Sequence, residues 1–180
     1  MNTIKPTRNK IIKACFVMLF MILSGCSWYT SKVPISNDRG SRIDSKALGG
    51  WAVVENDSLI AAINIKAYND KNYMISYVEL DHDDNNIGLL ENFAAHHSKV
   101  KNFDYVNLRI LEGEDIGKFY IMRYKIKGDS LIFSTLGADF DQEFTSSKKF
   151  KKYIEKNQFK FNELFSDTLK FKKYELNRMK

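Results

Sequence analysis

Lys118-Phe119-Tyr120-Ile121-Met122-Arg123-Tyr124-Lys125-Ile126-Lys127-Gly128-Asp129-Ser130-Leu131-Ile132-Phe133-Ser134-Thr135-Leu136 is the stretch whose reading decides the fold. Two runs rich in β-branched and aromatic residues, Lys118 to Ile126 and Leu131 to Leu136, flank Lys127-Gly128-Asp129, where glycine takes positive φ at no steric cost. The pattern is that of a β-hairpin. Tyr120, Arg123 and Tyr124 give its first arm bulk on both faces, as in a strand that also meets another layer or a partner.

Working outward, the same signature recurs. Val, Ile, Tyr and Phe come in short runs broken by Asn, Asp and Gly. Phe103 to Leu111 is an expected strand in which Val106, Leu108 and Ile110 share one face, and Lys101-Asn102 turns into it from an expected strand over Phe93 to Val100. Before these come Trp51 to Val54, Leu59 to Tyr68 and Tyr73 to Leu80. In the last, Tyr73, Ile75 and Tyr77 share a face. Beyond the hairpin the period changes: Thr145-Ser146-Ser147 offers a helix cap, and Phe150, Tyr153 and Ile154 fall at i, i+3 and i+4 with lysines opposite. A last strand over Glu163 to Lys173 sets Phe165, Leu169 and Phe171 near one face and alternates Lys170 and Lys172 outward.

About eight short strands with one short helix before the last predict a mainly β fold, a small antiparallel β-barrel or sandwich. Gly49-x-Trp51, at the opening strand, is similar to the Gly-x-Trp signature of lipocalins, and the late helix is lipocalin-like as well. The resemblance implies an arginine late in the chain that packs on the tryptophan; we place no counterpart for it in the sequence.

The first 26 residues read as an address. Lys5, Arg8, Lys10 and Lys13 precede the apolar run Ala14 to Leu23. As a helix that run is about 15 Å long, half of the ~30 Å hydrocarbon core, which makes it an export-signal core and not a span. Leu23-Ser24-Gly25-Cys26 then resembles the lipobox of bacterial lipoproteins. That resemblance implies a diacylglyceryl thioether on Cys26, cleavage before it and acylation of the new amino terminus. Several acyl chains make a stable anchor where one does not. The expected organisation is a signal peptide over residues 1–25, a lipidated cysteine and flexible tether over 26–47, one β-rich domain over 48–176 and a tail over 177–180. Trp28 and Tyr29 suit the head-group interface. Ser27 after the cysteine favours the outer membrane, facing the periplasm.

Removing the signal changes the charge. Four of the 28 basic residues leave with it, so 24 face 22 acidic ones and the net charge falls from +6 to +2. Nucleic acid is therefore not an expected partner. The mature chain is uneven, with net −5 over residues 26–147 and +7 over 148–180. Cys15 leaves with the signal and Cys26 is taken by lipid, which removes disulfides, thiolate nucleophiles and cysteine metal ligands.

No catalytic signature is present: there is no Gly-x-Ser-x-Gly element, and the histidines are His82, His96 and His97. Consecutive in a strand, His96 and His97 face opposite ways and share no site. Asp81-His82-Asp83-Asp84-Asn85-Asn86 offers hard oxygen ligands without the glycine and glutamate of an EF-hand loop, and reads as a solvated turn. Glu79, Asp81 and Asp83 are the carboxylates a hydrolase would use, and their spacing recommends no such role. No catalytic residue, metal ligand or cofactor is expected. The aromatic load, 13 Phe, 9 Tyr and 2 Trp, admits two uses. Trp51, Tyr77, Phe93, Phe119 and Phe133 either fill the core or line a site for an apolar ligand. The expectation is a non-enzymatic, membrane-anchored envelope lipoprotein that binds an envelope protein; the alternative is a lipocalin-like carrier of a lipid or other apolar ligand.

Overall fold

The structure, a computed structural model, describes residues 29–55, 58–80, 87–136 and 140–174. The lipobox, Trp28, the loop Asp81 to Asn86 and the tail over 177–180 lie outside them. Eight strands follow one another around a closed antiparallel barrel: β2 (Gly49–Glu55), β3 (Ser58–Ala67), β4 (Asn72–Leu80), β5 (Ile87–Val100), β6 (Phe103–Ile110), β7 (Phe119–Lys127), β8 (Ser130–Leu136) and β9 (Phe165–Lys173). Closure comes from β9 on β2, with Trp51 opposite Lys173 and Ala52 opposite Lys172. A ninth strand, β1 (Thr30–Ser31), pairs with Phe119 and Tyr120 of β7, taking up the edge of β7 past the point where β8 ends. Closure removes the long unpaired edges that an open sheet would expose.

The hairpin read from the sequence is present almost residue for residue. β7 and β8 meet across Gly128-Asp129, and Gly128 has φ +57°. Lys101-Asn102 is the two-residue turn between β5 and β6. β5 begins six residues earlier than the Phe93 expected, because Ile87 to Asn92 continue the hairpin with β4 beyond the last rung of β6, Phe93 opposite Ile110. The late helix is α1 (Ser147–Lys156), capped by the Ser146 Oγ, which accepts the Lys149 N–H. The helical path resumes after Asn157 in a shorter α2 (Gln158–Glu163).

Alternation sorts the side chains into two cores. Inside the barrel lie Trp51, Ile63, Ile65, Tyr73, Ile75, Phe93, Val106, Leu108, Met122, Leu131, Phe133 and Phe171. Outside it, Ile35, Val100, Tyr105, Ile121, Leu136 and Phe140 pack with Phe150, Ile154 and Phe161 of the helices. Phe165 belongs to this outer set although Leu169 and Phe171 point inward. The reason is a register shift: Thr135 pairs with Asp167 but Leu136 pairs with Phe165, and the extra residue of β9 reverses the face presented. One shared face for Phe165, Leu169 and Phe171 is thus corrected.

The expected flexible tether over 26–47 is also corrected where the structure describes it. Residues 29–47 form a strap folded onto the barrel. Tyr29 donates its N–H to the Leu136 carbonyl and its hydroxyl to the Gln142 carbonyl, and its ring meets Phe140 edge-on at 4.8 Å, so it packs against the outer core. Ile35 is fully buried and donates its N–H to Asn107 Oδ1 at 2.8 Å. Ser41 Oγ donates to the Lys71 carbonyl, the Asp44 N–H to the Tyr73 hydroxyl. The strap's polar composition hid these anchors, because the apolar residues in it follow no period.

The strap ends by closing one mouth of the barrel. The turn Ser45–Ala47 places the Ala47 carbonyl to accept Trp51 Nε1 at 2.8 Å. Lys173 Nζ lies 4.3 Å from the centre of the Trp51 ring and donates to the Leu48 carbonyl. A cation over an indole face is attracted by the ring quadrupole. Lys173 is thus the cation that covers the Trp51 face at this corner. The two glycines before Trp51 serve the same corner: Gly49 has φ +108°, and a Cβ on Gly50 would stand 3.0 Å from the Tyr174 carbonyl.

Candidate functional site

The five aromatic residues singled out from sequence divide between the two sides of the wall. Trp51, Phe93 and Phe133 are buried inside, and Tyr77 packs against that cluster nearer the rim. Phe119 does not join them. β7 turns Tyr120 and Met122 inward and Phe119 and Ile121 outward, so Phe119 sits in the outer core beside the strap, 6.3 Å from the His96 ring. Its inclusion in an interior lining is corrected by that alternation.

The rings that do meet fill the space they enclose. Phe133 packs edge-on against Phe171 at 6.1 Å, and Phe93 against Tyr120 at 6.0 Å. The interior voids among the described residues measure about 20 and 30 Å³. Those volumes match one or two water molecules, against the roughly 300–1,000 Å³ of a small-molecule pocket.

The large open space is outside, at the mouth closed by the strap. A cleft of about 810 Å³ runs between the strap residues Arg42 to Lys46 and the ends of β5, β6 and β7. Arg42, Lys46, Lys99, Arg123 and Lys125 line it, against Asp44 and Asp104. The basic side chains come from the strap and from two strands, β5 and β7. No short motif in the sequence marks this grouping; only barrel closure assembles it. Asp104 accepts a hydrogen bond from His97 Nε2 at 2.8 Å and lies 3.8 Å from Lys99 Nζ, and Asp44 Oδ1 accepts the Lys46 N–H at 3.0 Å, so both acidic groups are already engaged. The guanidinium of Arg123 stands 5.5 Å from the Phe103 ring and 5.2 Å from the Phe165 ring, which orients it along the outer wall. Tyr124 lies on the floor, 5.9 Å from the His97 ring; burial pushes its hydroxyl pKa up, keeping it neutral. Electropositive side chains around an open, partly apolar floor suit an acidic partner surface.

The histidines face opposite ways, as alternation requires. His97 reaches the cleft, while His96 is buried beneath the strap with Nε2 2.6 Å from the Ser36 carbonyl. Because a carbonyl only accepts, Nε2 carries the proton. Desolvation lowers the His96 pKa, and the Ser36 contact and Asp38 partly oppose that shift. At the far mouth, the Tyr77 hydroxyl donates to Glu79 Oε2 at 3.0 Å, and burial with the Glu79 and Glu91 charges pushes Tyr77 up to about 12. Glu79 is thus engaged by a neighbour of its own strand; Asp81 and Asp83, the other carboxylates of the hydrolase reading, lie outside the described residues. Among those residues no group of His, Cys, Asp and Glu is arranged to hold a metal ion.

The class of architecture is a closed, eight-stranded up-and-down antiparallel barrel with a tryptophan corner and an outer helical layer. Comparison with protein-family models, with curated proteins and with solved structures finds no match for the chain.

Proposed function

We propose that this protein is a lipid-anchored lipoprotein of the bacterial envelope whose barrel is a scaffold for binding an acidic envelope protein. It works without catalysis. Cys26 holds it to the membrane, in the outer membrane facing the periplasm. One observation carries the binding part: the barrel interior is packed to voids of 20 and 30 Å³, while a basic cleft of about 810 Å³ stands open on the outside. A filled core gives a rigid frame, and a rigid frame presents charges without a large ordering cost.

The anchor is tested by metabolic labelling with a fatty acid, which should mark the wild type and not Cys26→Ala; equal labelling of both contradicts it. The cleft is tested by cross-linking in intact envelopes. Lys46→Glu with Lys99→Glu, both at solvent-facing positions, should abolish the wild-type adducts. Adducts unchanged by the reversal place the partner elsewhere, and a stoichiometric apolar ligand in the purified protein favours the carrier reading instead.

A further inference from the structure

The barrel has two distinguishable mouths. One is closed by the strap and carries the basic cleft. At the other, β2, β4, β6 and β8 end and β3, β5, β7 and β9 begin. Six large apolar side chains are well exposed among the described residues, and five belong to this second mouth: Val54 at 50%, Ile87 at 64%, Leu89 at 40%, Leu90 at 56% and Ile116 at 64%. The sixth, Tyr68, lies at the strap-closed mouth in the turn between β3 and β4. Scattered singly, exposed apolar residues need no explanation; gathered on one rim they mark an interaction surface.

The same rim is where the chain enters the fold. Tyr29 bonds to Leu136, the last residue of β8, and Thr30 and Ser31 pair with Tyr120 and Phe119 at the start of β7. From Cys26 to Tyr29 there are three residue steps. Fully extended they reach about 10 Å. An anchor at Cys26 therefore cannot hold this rim farther than that from the bilayer, nor can the opposite mouth turn toward it unless the strap is stripped from the barrel.

Resting on the lipid-anchor reading above, we propose that the rim carrying Val54, Leu90 and Ile116 docks onto the lipid surface that holds Cys26, leaving the basic cleft pointed away from the membrane. The apolar side chains enter the interfacial zone, as exposed apolar side chains of interfacial anchors do. Glu79, Glu91, Glu112, Glu114, Asp115 and Glu143 share this end with Lys118, which pairs with Asp115, and Lys32, which pairs with Glu143; these carboxylates outnumber the two lysines, so the surface this end accepts is zwitterionic, and anionic lipid weakens the contact. The lysines of α1 do not offset this, because that helix lies along the outer wall, with Lys101 Nζ at the far end of β5 reaching the Glu155 carbonyl.

The experiment uses lipidated full-length protein in phosphatidylcholine vesicles. With Cys26 acylated, a cysteine introduced by Ile116→Cys or by Lys127→Cys is the only free thiol for an environment-sensitive fluorophore. At Ile116→Cys the emission should shift to the blue and be quenched several-fold by brominated lipid, and adding Leu90→Glu should abolish both effects. At Lys127→Cys, on the opposite mouth, neither should occur. Raising the fraction of phosphatidylglycerol should reduce the blue shift. Equal spectra at the two positions would overturn the docking, and so would a blue shift at Ile116→Cys without vesicles that tracks dimer formation. The anchor is read separately: wild-type protein that takes up thiol label shows a free Cys26 and sinks the lipid-anchor reading, whereas wild type that resists label with an unshifted Ile116→Cys sinks only the docking.

Discussion

The two cores on either side of the barrel wall are built by different rules. The inner one is nearly all apolar and comes from strands in chain order, so each residue finds its place by alternation. The outer one joins the strap, β6, β7 and two helices, segments more than 100 residues apart in the chain, and it is fastened by polar groups. Asn107, fully buried, accepts the Ile35 N–H and donates to the His96 carbonyl and to Ser98 Oγ, while Ser98 meets Ser36 at 2.5 Å. An apolar core tolerates neighbours of about the right size; a buried polar network demands particular partners. The inner core thus fixes the barrel, and the outer one fixes where the chain's entry lies relative to it.

The largest expected difference between the two comes from truncating their centres. Trp51→Ala should cost about 3–5 kcal/mol, since a fully buried ring, its hydrogen bond to Ala47 and the Lys173 contact are lost together. Urea denaturation followed by far-ultraviolet circular dichroism measures it. Loss of the entire barrel in one transition at lower urea is expected; a change under 1 kcal/mol would mean that the tryptophan corner is not a keystone.

Next in size is Asn107→Ala, at about 2–3 kcal/mol, because the Ile35 N–H and the Ser98 hydroxyl are left without their buried partner. Hydrogen exchange should accelerate in residues 30–41 while β3 and β4 stay protected. Uniform acceleration would erase the distinction between a fastened outer layer and an independent barrel.

This is also where legibility from sequence divides. Strands whose inner face alternates, such as Tyr73, Ile75 and Tyr77 or Val106, Leu108 and Ile110, could be read directly, as could Gly128 in its turn and Phe150, Tyr153 and Ile154 on their helix. The strap could not. Ile35 and Tyr29 stand alone among polar residues, and their burial depends on Asn107 and Phe140, partners that only closure brings near. The candidate cleft was invisible for the same reason: its five basic residues lie between positions 42 and 125 with no shared motif. Phe119 stands in a run with bulk on both faces, which gives no sign of which face is interior. Lys173 at the tryptophan corner is one of several lysines along β9, and nothing in the sequence marks it as the one that meets Trp51.

A smaller effect follows from protonation. His96 is held neutral in the folded protein with its pKa lowered, so on acidification the unfolded chain takes up a proton first. Its contribution is complete above the unfolded value of about 6.5 and shrinks as the pH falls toward the lowered folded value. Stability at pH 5.5 should therefore be lower than at pH 7.5, and His96→Gln should flatten that slope. An identical slope in the variant would assign the pH dependence to other groups.

The smallest expected change is Tyr105→Phe. The Tyr105 hydroxyl is fully buried in the outer core without a hydrogen-bond partner among the described residues, and burial pushes its pKa up to about 12. Removing an unsatisfied buried hydroxyl is neutral or stabilising by about 1 kcal/mol. A loss of stability measured by thermal denaturation would reveal a partner for that oxygen.

Most direct for the central claim, a filled barrel that binds on its outside, is native mass spectrometry of residues 27–180 produced in the periplasm without the acylated cysteine. A single species at the mass of the polypeptide is the expected result. An equimolar, extractable apolar ligand, released on unfolding, would contradict it and make the inner core the binding site.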